Sequence, residues 1–306
     1  MKSTCFHRSA LSVIVTLAVV CLWFIPEESS AYLLNEWASL NTEEDQTANA
    51  EEPKQGRYWK EPVSGMHFSW VHGGCYSIGS PPRRAGRDTD EGPVRRVCVK
   101  GFWMGQHEVT QGEWWRIMRS NPSHFRKGVE YPVERVAWED AEAFVRKLNS
   151  MYPGPVRFRL PTEAEWEYAC RNGGDRIRFA GATEPGQVAW FRENSGQSSQ
   201  PVGTRRPNRF GLFDMSGNVW EWTQNAYDPD AYVAKSSGSD EQRESGEVFR
   251  AIRGGSWASY RNHLRCSNRG FEQFSNKRPT IGLRLVRVYG AEPKQDRISP
   301  EELLLM

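Results

Sequence analysis

The chain has 306 residues, enough for one large domain, and its 40 basic and 38 acidic side chains leave a net charge of +2. That balance offers no electrostatic footprint for nucleic acid, and none is expected as a partner. Thirteen tryptophans beside 27 glycines and 18 prolines describe aromatic anchors joined by many turns, and so a fold poor in long regular elements.

In chain order, Lys2 and Arg8 precede the apolar run "ALSVIVTLAVVCLWFIP", and "SSA" at Ser29–Ala31 supplies small residues for cleavage. Residues 1–31 therefore read as a signal peptide of a periplasmic or secreted protein, with membrane contact only if it stays as an uncleaved anchor. Cys5 and Cys21 leave with it, while Cys75, Cys98, Cys170 and Cys266 remain. Four cysteines in an oxidising compartment predict two disulfides, with three connectivities open, and the absence of Cys-x-x-Cys argues against zinc. Residues 32–62, with "NTEEDQTANAEEPKQG" at their centre, lack apolar periodicity and read as an acidic linker.

The domain is expected over 63–289. "MHFSWVHGGCYSIGS" and "PVRRVCVKGFWMGQHEV" predict two strands, with "PPRRAGRDTDEG" as the loop between them. Thr110 with Glu113, and Thr162 with Glu165, form capping boxes that open two helices. Ala137, Ala141, Phe144, Val145 and Leu148 repeat at helical spacing and predict another between them. "DPDAYVAKSSGSDEQRESGE" reads as a surface insertion, "TIGLRLVRVYG" as a closing strand and residues 290–306 as a loose tail, with no internal repeat.

Candidate chemistry is sparse. His67, His72, His107, His124 and His263 are scattered and read as surface or satisfied core residues, and no G-x-S-x-G elbow is present. In "FGLFDMSGNVWEW", Asp214, Asn218 and Glu221 supply hard oxygens and Gly217 a tight turn, which calcium favours. Ordinary Asx-turns, with an arginine partner for Glu221, account for the same spacing. Arg253-Gly-Gly-Ser-Trp257 leads into Arg261, Arg265, Arg269, Arg278, Arg284 and Arg287, interspersed with Asn262, Asn268 and Asn276. That run reads either as a groove for a peptide or an anion, or as a loop bonded to itself.

Taken together, "GCYSIGS", "FWMGQHEVTQGEW", "PVERVAWEDAEAFVRKLN", "RFRLPTEAEWEYACR", "PVGTRRPNRFGLFDMSGNVWEW", "RAIRGGSW" and "IGLRLV" resemble, in order, the formylglycine-generating enzyme family, or sulfatase-modifying factors. The resemblance runs from about Gly65 to Val288. It implies an α+β, C-type-lectin-like fold with little regular secondary structure. Members use copper and oxygen to convert the cysteine of a Cys-x-Pro-x-Arg motif into formylglycine, through two cysteines just after the GGS motif. Here that segment is "WASYRNHLRC", where Ser259 falls near the first cysteine's place and the second lies in a shortened stretch. Cys266 resembles instead a structural cysteine that the family bridges to the one in "EYxC", Cys170 here. With Cys75 paired to Cys98, no thiolate pair is left for copper(I), so copper and the standard oxidation are not expected. Ser256, Trp257, Ser259 and Trp220 then stand as remnants of the family site.

The resemblance also implies calcium on Asp214, Gly217, Val219 and Glu221. A second family calcium site, in "AWFRENSGQSSQ", lacks its expected asparagine. Tyr260, Arg261, Asn262 and Arg265 are the residues expected to line a partner groove. Three functions follow: an exported, calcium-stabilised module that binds and regulates a protein or peptide in the periplasm; an oxidoreductase on a peptide or small molecule, of the sulfatase- or siderophore-maturation kind; or a ligand-display protein of a diversity-generating retroelement.

Overall fold

Glycines turn the two long strands expected at the start of the domain into four. The computed structural model describes residues 58–233 and 249–289. In it β2 (His67–Val71) gives way at Gly73 to β3 (Gly74–Ile78), and β4 (Arg95–Val99) gives way at Gly101 to β5 (Phe102–Gly105). β2 pairs with β5 and β3 with β4, so one long hairpin bends from one sheet into another. A Cβ on Gly73 would lie 2.8 Å from the Gly101 nitrogen, and one on Gly101 would lie 2.5 Å from the Trp70 ring. Only residues without a side chain let the two chains cross so closely.

The fold also starts earlier than residue 63. Tyr58–Lys60 forms β1 on the edge of the β2 sheet, and the Trp59 ring sits 5.5 Å from Phe68 and 6.2 Å from Phe158. Glu61 is buried and accepts bonds from the Val63 and Ser64 amides. The end of the expected linker is therefore part of the core; three residues are too few to show a period in the sequence. The expected signal peptide, the rest of the expected linker, most of the expected insertion and the expected tail lie outside the described residues.

Three helices follow the sequence closely. α1 (Gln111–Met118) and α3 (Glu163–Cys170) are opened by their capping boxes: the Glu113 and Glu165 amides donate to the Thr110 and Thr162 hydroxyls at 3.2 Å, and both glutamates reach back to the threonine amides. α2 (Trp138–Asn149) buries Ala141, Phe144, Val145 and Leu148, and stacks Phe144 on Trp114 of α1 with ring centres 4.9 Å apart.

The remaining strands are β6 (Val156–Arg159), β7 (Trp220–Ala226), β8 (Phe249–Arg253), β9 (Gly270–Gln273), β10 (Ile281–Leu283) and β11 (Val286–Tyr289). They complete a five-stranded sheet ordered β1-β2-β5-β11-β6 and a four-stranded one ordered β10-β7-β8-β9. The expected closing strand is thus also two, one in each sheet, and Arg284–Leu285 is the crossing between them. One apolar core lies around α1 and α2, another around α3. The disulfides are Cys75–Cys98, directly across the β3–β4 pair, and Cys170–Cys266, which ties the end of α3 to the segment before β9. Two disulfides mark folding in an oxidising compartment. Among the described residues no helix is long and apolar enough to cross a membrane.

Candidate functional site

After β8 the chain turns through Gly254 and Gly255, at φ 97 and 78°. A Cβ on Gly255 would sit 2.9 Å from the His263 carbonyl, so the loop folds tightly back on itself. Ser256 and Ser259 close this turn. The Ser256 amide donates to Ser259 Oγ at 2.9 Å, the two hydroxyls lie 3.2 Å apart, and both residues are buried. Where the family resemblance places the first copper thiolate, two hydroxyls therefore satisfy one another. Trp257 is held by its amide on Asn218 O at 2.7 Å and its ring nitrogen on Pro279 O at 3.0 Å, with its ring edge-on to Phe125 at 5.3 Å. Behind Phe125 lies Glu134, which is buried, accepts from the Phe125 amide at 2.7 Å and leaves its second oxygen without a partner. Burial pushes its carboxyl up to about 7.

Of the expected groove residues, Tyr260, Arg261 and Asn262 are exposed. The Arg192 guanidinium covers Tyr260 at 4.7 Å, Arg261 pairs with Glu184, and Asn262 Oδ1 accepts from Arg178 Nη2 at 3.3 Å. Arg265 does not belong with them. It is 1 % exposed and its two terminal nitrogens fork onto Glu91 at 2.6 and 2.7 Å. A guanidinium out of water needs a carboxylate, and the fork provides one. Burial alone would raise Glu91, but bonds from Arg265, the Asp88 amide and Ser80 hold it at about 2. Arg253 and Arg269 are likewise locked onto Glu163 and Glu167 by contacts of 2.5–3.2 Å. Most of the arginine run is thus internal scaffold, the second of the two sequence readings.

The open cleft lies beside that run. It has a volume of ≈ 580 Å³ and is lined by Trp220, Tyr227 and Phe271 among aromatic residues, and by Asp88, Asp90 and Glu272 among acids. Tyr227 and Phe271 stack at 4.5 Å, and Phe271 is 52 % exposed. The Tyr227 hydroxyl donates to Asp90 at 2.9 Å, and burial raises the Asp90 carboxyl. Glu272 moves the other way: its bonds from Asn276 and Arg278 outweigh burial and lower it. One wall is β9, the outer strand of its sheet. Of the expected remnants, Trp220 lines this cleft, while Ser256, Trp257 and Ser259 do not. Asp88 and Asp90 come from a stretch that the sequence showed only as a polar loop, and no local signal pointed to their place.

The expected calcium ligands come together in one turn, but Glu221 is already engaged. Arg284 meets both its oxygens at 2.7–3.0 Å and the Trp166 ring nitrogen donates to it at 2.6 Å, so it has the arginine partner that the spacing also allowed. Asp214, at φ 56°, takes the Gly203 amide at 2.7 Å on one oxygen and leaves the other buried and unmatched. Beside it is Glu108, which the sequence reading missed; it is buried, with only the Asn218 side chain at 3.4 Å and the Val219 amide at 3.3 Å as donors. Burial raises both carboxyls, and the Asp214 charge raises Glu108 further. Three buried acids therefore share one arginine, and the unmatched Asp214 oxygen is the feature a cation would satisfy. Among the described residues no three acidic, histidine or cysteine side chains are placed to hold a metal by themselves. A calcium ion there would rest on Asp214 and backbone carbonyls.

Short strands in three sheets, three α-helices and crossing loops define an α+β, C-type-lectin-like domain. The chain belongs to the sulfatase-modifying factor, or formylglycine-generating enzyme, family: the Sulfatase-modifying factor enzyme 1-like domain matches residues 54–289. It is 30 % identical over 247 residues to "Chaperone protein LppX" of Paenibacillus barcinonensis, covering 63 % of this chain and 82 % of that one. It is 32 % identical over 191 residues to the formylglycine-generating enzyme of Streptomyces coelicolor, covering 57 % of this chain and 58 % of that enzyme's length. The solved structure of PvdO from Pseudomonas aeruginosa superposes with a TM-score of 0.66 at 25 % identity, over 77 % of this chain and 99 % of that one.

Proposed function

We propose that this domain is a calcium-stabilised module that binds a protein or peptide in the periplasm and does not carry out copper-dependent cysteine oxidation. The observation that carries the reading is the buried Ser256–Ser259 hydroxyl pair, since the family resemblance puts the first copper thiolate near Ser259. The cleft lined by Trp220 supports binding. β9, the outer strand of its sheet, forms one wall, and Trp220, Phe271 and the acids give side-chain contacts. The likeness to a protein named a chaperone supports a protein ligand.

The test incubates the purified chain with copper and a Cys-x-Pro-x-Arg peptide while peptide mass and bound metal are followed together. An unchanged peptide and no bound copper are expected, and formylglycine formation would overturn the reading. A peptide selected on the domain should bind at least about tenfold more weakly to Phe271→Ala, and equal binding would remove the cleft as the site. One equivalent of calcium per chain, lost in Asp214→Asn, is expected; retention in that variant would move the ion elsewhere.

A further inference from the structure

A second concentration of charge lies away from the cleft aromatics, where the loop carrying Arg84 meets Arg178 and Asn262. Gly86 packs against Asn262, with a Cβ there falling 2.8 Å from its Oδ1, and that same oxygen accepts from Arg178 Nη2 at 3.3 Å. Arg265 reaches the Asn262 carbonyl from below at 2.8 Å. On the other side, Arg171 holds the start of the loop through Ser77 O at 3.1 Å and Gly79 O at 2.7 Å. Three guanidinium groups from separate segments thus meet the loop that carries Arg84.

Their carboxylate partners are already taken. Glu91 is occupied by Arg265, and Glu167 is shared by Arg171 and Arg253. Arg84 and Arg178 have no carboxylate among the described residues, and both are half-buried. The Nε atoms of Arg171 and Arg178 are buried and without acceptors. Burial and the charges of Arg171, Arg178 and Arg265 also pull Arg84 below the ordinary arginine range, outweighing the opposing charge of Glu91.

We propose that Arg84 and Arg178, backed by Arg171 and Arg265, form a binding site for a tetrahedral oxyanion, the phosphate or sulfate group of a ligand. A planar carboxylate is served by one fork, as Glu91 is by Arg265. Guanidinium groups arriving from separate segments suit an anion whose oxygens point in several directions. The site does not rest on the peptide-binding reading of the cleft, and either stands if the other fails.

The test titrates the full chain with sodium phosphate and, separately, sodium sulfate by isothermal calorimetry, holding ionic strength constant with chloride. Saturable binding of one equivalent of either anion is expected, and the stronger of the two identifies the ester class. Arg84→Gln and Arg178→Gln should each weaken binding by at least about tenfold, the loss of one charge-assisted contact, and Arg84→Lys should weaken it less. The exposed neighbour Arg83→Gln serves as the control and should bind as the parent does. Near-ultraviolet circular dichroism of each variant verifies its fold. No saturable heat, equal binding in Arg84→Gln and Arg178→Gln, or equal loss in Arg83→Gln would each overturn the proposal.

Discussion

Replacing Arg284 with methionine should cost about 3–5 kcal/mol of stability at pH 7, the range found when one partner of a buried ion pair is removed. Arg284 is wholly buried. It meets both Glu221 oxygens at 2.7–3.0 Å, and donates to Gly105 O at 2.9 Å and Phe213 O at 2.8 Å. Methionine fills much of the same space, so the loss reports charge and hydrogen bonding rather than a cavity. It takes the cation from the Glu221 carboxylate and a donor from two carbonyls, beside Glu108 with its two long hydrogen bonds and Asp214 with one unmatched oxygen. Each stranded acceptor is worth about 1–3 kcal/mol, and the contributions overlap because they share one residue. Adding Glu221→Gln to Arg284→Met should recover part of the loss, since one of the three stranded charges is then removed and the Trp166 donor keeps an acceptor. Urea unfolding followed by tryptophan fluorescence measures the difference. The sign with pH is fixed. Stranded acids take up protons in the folded state, so the deficit of Arg284→Met should shrink as pH falls from about 7 to about 5. A deficit below about 1 kcal/mol, or one that ignores pH, would refute the view that this arginine neutralises the acid cluster.

Further outcomes can be read with the same assay. Removing the Cys170–Cys266 bridge by a double change to alanine frees a loop with a sequence separation of 96 and should cost about 2–5 kcal/mol, visible as a lower urea midpoint under non-reducing conditions. Glu134, pushed up to about 7 from 4.5, binds its proton more tightly when folded, so stability should fall as pH rises through that window. Glu134→Gln should flatten that slope, and an unchanged slope would place the titration elsewhere. Gly101→Ala should lose about 1–3 kcal/mol, because the added methyl meets the Trp70 ring at 2.5 Å.

The parts of the fold that were legible are those written in local chemistry. Thr110 and Thr162 announce their helices because a hydroxyl and a glutamate three residues on satisfy backbone groups that nothing else reaches. The α2 stripe is visible because one face meets a core. Strand breaks were harder: Gly73 and Gly101 look like ordinary glycines until the other chain is known to cross there, and Arg284 falls inside an apolar run that reads as continuous. Burial of charge was hidden for the same reason. Arg265 and Glu91 are 174 residues apart, and nothing near either one shows that it has a buried partner. Glu108 sits in the bend after β5, where a solvated acid would look identical. The family motifs pointed to the serine turn and to Trp220, but not to the acids that share their cleft with that tryptophan.

The Ser256–Ser259 turn also bears on whether a copper site could be built here. Changing Ser259 to cysteine would provide one sulfur, but the chain then passes through a single tight turn, Arg261–Leu264, to a cysteine already bonded to Cys170. A second thiolate needs a residue that this short loop does not contain. Under the proposed reading, building a copper pair here would thus take an insertion, since chain length rather than residue identity is what limits the loop.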